Sequence, residues 1–207
     1  MKKSFILLIG VALMLQSCAK IFYTPDARSL ALDQKIIAIA PPKVSIAAKK
    51  NINGEALIEQ QKTESINFQR EMYSWMLKRK MQGAIVVEIQ DVETTNALLN
   101  KAGINEGKVL SPIEICQVLG VDGIMTSNYS LSKPMSEGAA IALAVIVGVW
   151  GATNEATVSL SIHDFGTKKM IWNYDHKMSS SLGTPAGLVD ALMRQASRKM
   201  PYFIGTY

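Results

Sequence analysis

Few side chains in this sequence could carry out chemistry, and their spacing argues against most of it. His163 and His176 are the only histidines, and Cys18 and Cys116 the only cysteines. A zinc centre draws three or four ligands from such residues at short, regular intervals. A hairpin turning near Gly166-Thr167 would pair His163 with about Met170 and leave His176 several residues away along the sheet, so no ligand set forms. Cys116 lies in the apolar stretch Ile113-Glu114-Ile115-Cys116-Gln117-Val118-Leu119 and reads as a packing residue. Asp91 and Glu93 stand at the end of an expected strand, where carboxylates cap helices or meet water. Gly183-Thr184-Pro185-Ala186-Gly187 lacks the Gly-Lys-Ser/Thr terminus of a phosphate loop. Ser179-Ser180-Ser181 reads as a solvated loop. These residues predict no enzyme, no cofactor and no bound metal.

Cys18 has a different context. Lys2 and Lys3 form a short basic region, and Phe5 to Leu15, broken only by Gly10, forms an apolar run of signal-peptide length. That run is too short to anchor a protein by spanning a bilayer. It leads into Leu15-Gln16-Ser17-Cys18, which resembles the lipobox of bacterial lipoproteins: a branched apolar residue, a tolerant position, a small residue and an obligatory cysteine. The resemblance implies cleavage between Ser17 and Cys18 and acylation of the Cys18 thiol. Each buried methylene contributes about 0.8 kcal/mol, so two or three acyl chains hold a protein on a membrane almost permanently. Ala19, in place of aspartate, follows the cysteine, which by the best-known sorting rule implies the outer membrane; no acidic cluster follows Cys18 to suggest surface display, so the domain is expected to face the periplasm.

Cleavage before Cys18 removes 17 of 207 residues and leaves enough chain for one domain with a real core. The precursor carries +5; loss of Lys2 and Lys3 leaves +3, too mild a charge to point to nucleic acid. With Cys18 acylated, Cys116 has no partner for an intrachain disulfide.

Residues 18–34 show no sustained periodicity and read as a lipid-anchored tether, which places a single domain over 35–207. Lys35 to Ala40 reads as a buried strand halted by Pro41-Pro42. From about Gly54 to Gln82 the spacing of Phe68, Met72, Trp75, Met76 and Arg79 predicts a long helix ended by Gly83. Ala84 to Ile89 reads as a strand, and Val92 to Ala102 as a short helix with Thr94, Leu98 and Leu99 on its apolar stripe. Ser111-Pro112-Ile113-Glu114 combines an N-cap, a proline at the first helical position and a capping-box glutamate; Gly120 ends that helix. Strands follow at Gly123–Leu131, Ala156–Ile162 and Met170–Tyr174, then a helix from Thr184-Pro185 to Lys199. This order predicts an α/β sandwich: a mixed four- to five-stranded sheet with helices packed on it.

The block from Ile113 to Ser130, a capped helix running into Leu119-Gly120-Val121-Asp122-Gly123-Ile124-Met125-Thr126-Ser127, resembles the helix, Gly-Ala-Asp and strand segment of envelope proteins built on the TolB N-terminal fold. Ile162-His163-Asp164-Phe165-Gly166-Thr167-Lys168-Lys169-Met170-Ile171-Trp172 is similar to their hairpin, with its acidic residue, glycine turn and returning tryptophan. The curli secretion lipoprotein and the lipoprotein activators of peptidoglycan synthases share this layout. The resemblance covers about four fifths of the chain and implies an accessory or assembly role with an envelope protein partner or a second copy.

One segment departs from that group. Residues 138–152 carry no charge. As a helix they extend about 22 Å, too short to span a bilayer alone. Ala140, Ala144, Gly148 and Ala152 then recur every four residues and would form a smooth face for close helix approach. As a strand, Ile141, Leu143, Val145, Val147 and Val149 share one face. A core element, a subunit interface and a membrane-dipping or pore segment all remain open; a pore would need at least two alternating strands of about nine to eleven residues with aromatic girdles. Beside the assembly role stands a binding module for a small ligand, glycan or lipid, which would require a pocket.

Overall fold

The computed structural model describes residues 19–47, 54–104, 108–132, 155–178 and 185–205. Twelve elements follow in chain order: β1 Lys20–Tyr23, α1 Ala27–Asp33, β2 Ile36–Ile39, β3 Lys43–Ile46, α2 Gly54–Met81, β4 Glu88–Ile89, α3 Val92–Lys101, α4 Pro112–Leu119, β5 Gly123–Ser132, β6 Glu155–Asp164, β7 Lys169–Met178 and α5 Pro185–Lys199. The seven strands form one sheet in the order β1-β7-β6-β5-β2-β4, with β3 also on β5. β5, β6 and β7 are antiparallel neighbours, while β2 and β3 both run parallel to β5. The sheet is therefore mixed and the class is α/β, as expected, but it has seven strands where four to five were anticipated.

Three differences from the expected elements account for the change. Pro41-Pro42 does break the first parallel strand, since proline cannot donate to the ladder, yet the chain resumes as β3. β2 pairs with Gly123–Met125 and β3 with Asn128–Leu131, so the two pieces lie end to end along β5. Ala84 to Ile89 pairs only at Glu88–Ile89. Ahead of it Ile85 and Val87 are buried and Val86 is exposed, so the alternation is present with little ladder. The largest correction concerns residues 18–34. Lys20–Tyr23 is a strand antiparallel to β7, and α1 buries Ala27 and Ala31 in the main core. The stretch read as a tether is folded from Lys20 onward.

The helices take both faces of the sheet. On one, α1, α2 and α5 cover Ile37, Met125, Tyr129, Val158, Leu160, Ile162, Trp172 and Tyr174. α2 presents the predicted stripe, with Phe68, Met72, Trp75, Met76 and Arg79 all buried. Phe68 lies 4.6 Å from the Tyr129 ring, and the Tyr129 hydroxyl donates to Met72 Sδ at 3.4 Å. Arg79 is tied down rather than left as a buried charge: Nε donates to Ser197 Oγ at 2.9 Å and Nη2 to the Arg194 carbonyl at 3.3 Å. Gly83, at φ 66°, turns the chain out of the helix.

On the other face α3 and α4 cover only the end near Ala38, Ala40 and Ile124, with Leu99, Cys116 and Leu119 between. The α4 capping box is formed in both directions, and Gly120 closes the helix in the left-handed region at φ 67°. On α3 the stripe is displaced by one residue: Thr95, with its hydroxyl on Gln90 Oε1 at 3.0 Å, is buried and Thr94 is exposed.

Candidate functional site

The residues singled out from the sequence divide sharply. Ser17, Cys18, Ala140, Ala144, Gly148 and Ala152, with the whole of 138–152, and Ser179, Ser180, Ser181, Gly183 and Thr184 lie outside the described residues. The remaining chemistry-bearing groups are placed, and the fold uses most of them.

Asp91 is the N-cap of α3 and accepts from the Thr94 backbone N–H at 2.7 Å; this bonding holds its carboxyl below the usual carboxylate range. Glu93 forms a surface ion pair with Arg70 at 3.6 Å. His163 pairs with Met170 across the hairpin, while His176 lies opposite Val158, farther along β7. Burial lowers both imidazoles below their ordinary 6.5, so both are neutral at pH 7. His176 Nδ1 and Trp172 Nε1, with Tyr174 between them on the core face of β7, have no hydrogen-bond partner among the described residues. Burial, with help from the Asp164 carboxylate, pushes the Cys116 thiol up to about 12, so it stays protonated and unreactive. Among the described residues no cluster of His, Cys, Asp and Glu could hold a metal.

A polar latch escaped the sequence reading. It gathers where β2 and β5 begin and β6 ends. Asp164, which is buried, accepts from Gln34 Nε2 at 2.6 Å, from the Thr167 N–H at 2.7 Å and from the Thr167 hydroxyl at 2.7 Å. The Tyr202 hydroxyl donates to Gln34 Oε1 at 2.5 Å, and burial raises its pKa well above the ordinary phenol value. Asp122 accepts from the backbone N–H groups of Lys35 and Ile36 at 2.8 and 3.1 Å. A Cβ on Gly123 would sit 2.4 Å from Gln34 Oε1, so a larger residue there would displace the Gln34 amide from the latch. The latch joins the α1–β2 junction, the β6–β7 turn and the C-terminal segment. With its carboxylates engaged in holding these segments and the α4–β5 turn together, it is built for stability. The Asp164-Phe165-Gly166-Thr167 pattern, an aspartate whose side chain caps its own turn, was its one visible signal.

What remains accessible is the part of the sheet that α3 and α4 leave uncovered. Strand alternation puts Thr126, Asn128, Ser130, Thr157, Ser159, Ser161, Asn173 and Asp175 on this face. Asn173 Nδ2 donates to the Ser159 and Ser161 hydroxyls, both at 3.1 Å. The surface is a hydroxyl and amide lattice bordered by Phe22 on β1.

No protein-family model matches this sequence, and no curated protein does. Solved structures that superpose on it include a single-substitution variant of the PelC dodecamer from Paraburkholderia phytofirmans, at 7% identity over 92% of this chain and 100% of that one, with a TM-score of 0.43. Lipoprotein GNA1162 from Neisseria meningitidis aligns at 10% identity over 80% of this chain and 96% of that one, with a TM-score of 0.41. The C-terminal domain of LpoB from Salmonella enterica aligns at 10% identity over 74% and 96%, with a TM-score of 0.37. Likenesses this loose carry no functional weight.

Proposed function

We propose that this chain is a non-enzymatic lipoprotein of the bacterial envelope, anchored through acyl chains on Cys18 to the outer membrane and facing the periplasm. There it acts as an accessory or assembly factor that binds another envelope protein or a second copy of itself. The observation that carries this reading is the register of basic end, apolar run and Leu15-Gln16-Ser17-Cys18. No helix among the described residues is long and apolar enough to cross a membrane, so the lipid is the attachment invoked. The latch and the helix caps engage Asp164, Asp122, Asp91 and Glu114 in structural hydrogen bonds. Self-association draws its support from the four-residue recurrence of Ala140, Ala144, Gly148 and Ala152.

Light scattering on the detergent-solubilised lipoprotein tests the assembly role. A defined oligomer is expected, and Ala144→Leu combined with Gly148→Leu is expected to reduce it to a monomer. A monomeric parent protein would remove self-association. A second reading, a binding module for a glycan, is favoured by the open hydroxyl and amide face around Ser159, Ser161 and Asn173. It predicts that the monomer binds envelope glycan and that Ser159→Leu weakens that binding.

A further inference from the structure

Strand β1 starts at Lys20, two residues after the cysteine that the lipobox marks for acylation. Two residues of extended chain span at most about 7 Å. The headgroup layer on each side of a bilayer is itself roughly 5–8 Å deep. A lipidated cysteine must sit at that layer for its acyl chains to enter the hydrocarbon, so Lys20 cannot stand clear of it. Had residues 18–34 been a tether, as the sequence suggested, the domain could have hung as far as roughly 55 Å below the membrane.

The residues held there suit a membrane surface. Ile21, Phe22 and Tyr23 are 37%, 50% and 45% exposed, three consecutive large apolar side chains on one short strand. Strand alternation sends Phe22 to one face of the sheet and Ile21 and Tyr23 to the other, so the edge is apolar on both sides. Lys20 and Lys177 are exposed on the open-face side near the same end. β1 terminates the strand order, and no described strand covers its outer edge.

We propose that β1 is a membrane-contact edge: Ile21, Phe22 and Tyr23 rest in the headgroup layer of the phospholipid bilayer that holds the acyl chains of Cys18, with Lys20 among the phosphates. This rests on acylation of Cys18 and adds an orientation to it. The depth is limited by the backbone. The outer N–H and C=O groups of β1 need water or headgroup partners and cannot enter hydrocarbon. The contact is therefore interfacial, as for side chains of amphipathic surface elements. The opposite edge points away. β4 lies five strand spacings from β1, about 24 Å. β4 also pairs near the Gly123 end of the sheet, whereas Lys20 stands level with Asp175, Ser159 and Asn128. Val86, exposed just before β4, should therefore remain in water.

Spin labels on the full acylated chain test this in vesicles of phosphatidylethanolamine and phosphatidylglycerol. Phe22→Cys, Ile21→Cys and Val86→Cys are each placed in a Cys116→Ser background, and the mass of the mature N-terminal peptide is read on the same samples. At positions 21 and 22 the ratio of collision with oxygen to collision with a water-soluble nickel chelate is expected to exceed that at position 86 severalfold. Both labels should report a depth at the headgroup boundary. Labels at 21 and 22 that match position 86, on a chain whose mass shows acylation, would overturn the membrane contact and leave the anchor standing. Labels shielded from both oxygen and nickel would overturn it in favour of a second copy or other protein on the β1 edge. A mature peptide without acyl chains would overturn both the anchor and the contact.

Discussion

Asp164→Ala is expected to lower the unfolding free energy by about 3 kcal/mol, read as a fall in the urea midpoint with the slope unchanged. The carboxylate is the acceptor for Gln34 Nε2 and for both Thr167 donors, at 2.6 to 2.7 Å. Thr167 is exposed and can turn to water. Gln34 is buried and cannot, so its amide bears the cost of a stranded donor, about 1–3 kcal/mol, to which the loss of charge-assisted bonds adds. Asp164→Asn retains an acceptor and should lose roughly half as much. A loss from Asp164→Ala no larger than an exposed substitution produces would mean that the latch does not hold the α1–β2 junction to the β6–β7 turn.

The second large effect lies in the main core. Phe68→Ala should cost about 4 kcal/mol, because a fully buried aromatic leaves a cavity between α2 and the sheet and the Tyr129 ring loses its partner. For a domain of this size that shifts the thermal midpoint by roughly 10 °C. Ile58→Ala, on the same helix but 55% exposed, should stay within about 0.5 kcal/mol and serves as the control. Equal effects at the two positions would contradict the packing of α2 on β5.

What the sequence revealed, and what it hid, follow from how far each signal reaches along the chain. The α4 caps, the hairpin of β6 and β7 and the Phe68-to-Arg79 stripe are written in residues a few positions apart, and all three appear in the fold. α1 was hard to read because its fully buried residues are two alanines, with Leu30 only partly buried, and its N-cap Asp26 makes no side-chain capping bond, so the stripe is faint over seven residues. β1 is legible only through its partner β7, about 150 positions away. β3 has just four alternating residues after two prolines, too few to establish a period. The latch is the extreme case. Gln34 and Tyr202 are ordinary residues singly, and only the closed sheet brings them within 2.5 Å.

Folding from Lys20 onward changes the meaning of the lipobox as well. An anchor on a long tether would fix only the compartment, whereas an anchor two residues before an edge strand also fixes which side of the domain meets the membrane. The open hydroxyl face then holds a set position relative to the bilayer, which a partner could use. All of this depends on Cys18. The most direct test is mass spectrometry of the mature N-terminal peptide isolated from the membrane fraction. The expected result is a chain that begins at Cys18 and carries a thioether-linked diacylglycerol; a mature chain that begins elsewhere, or a Cys18 with a free thiol, would contradict lipid anchoring.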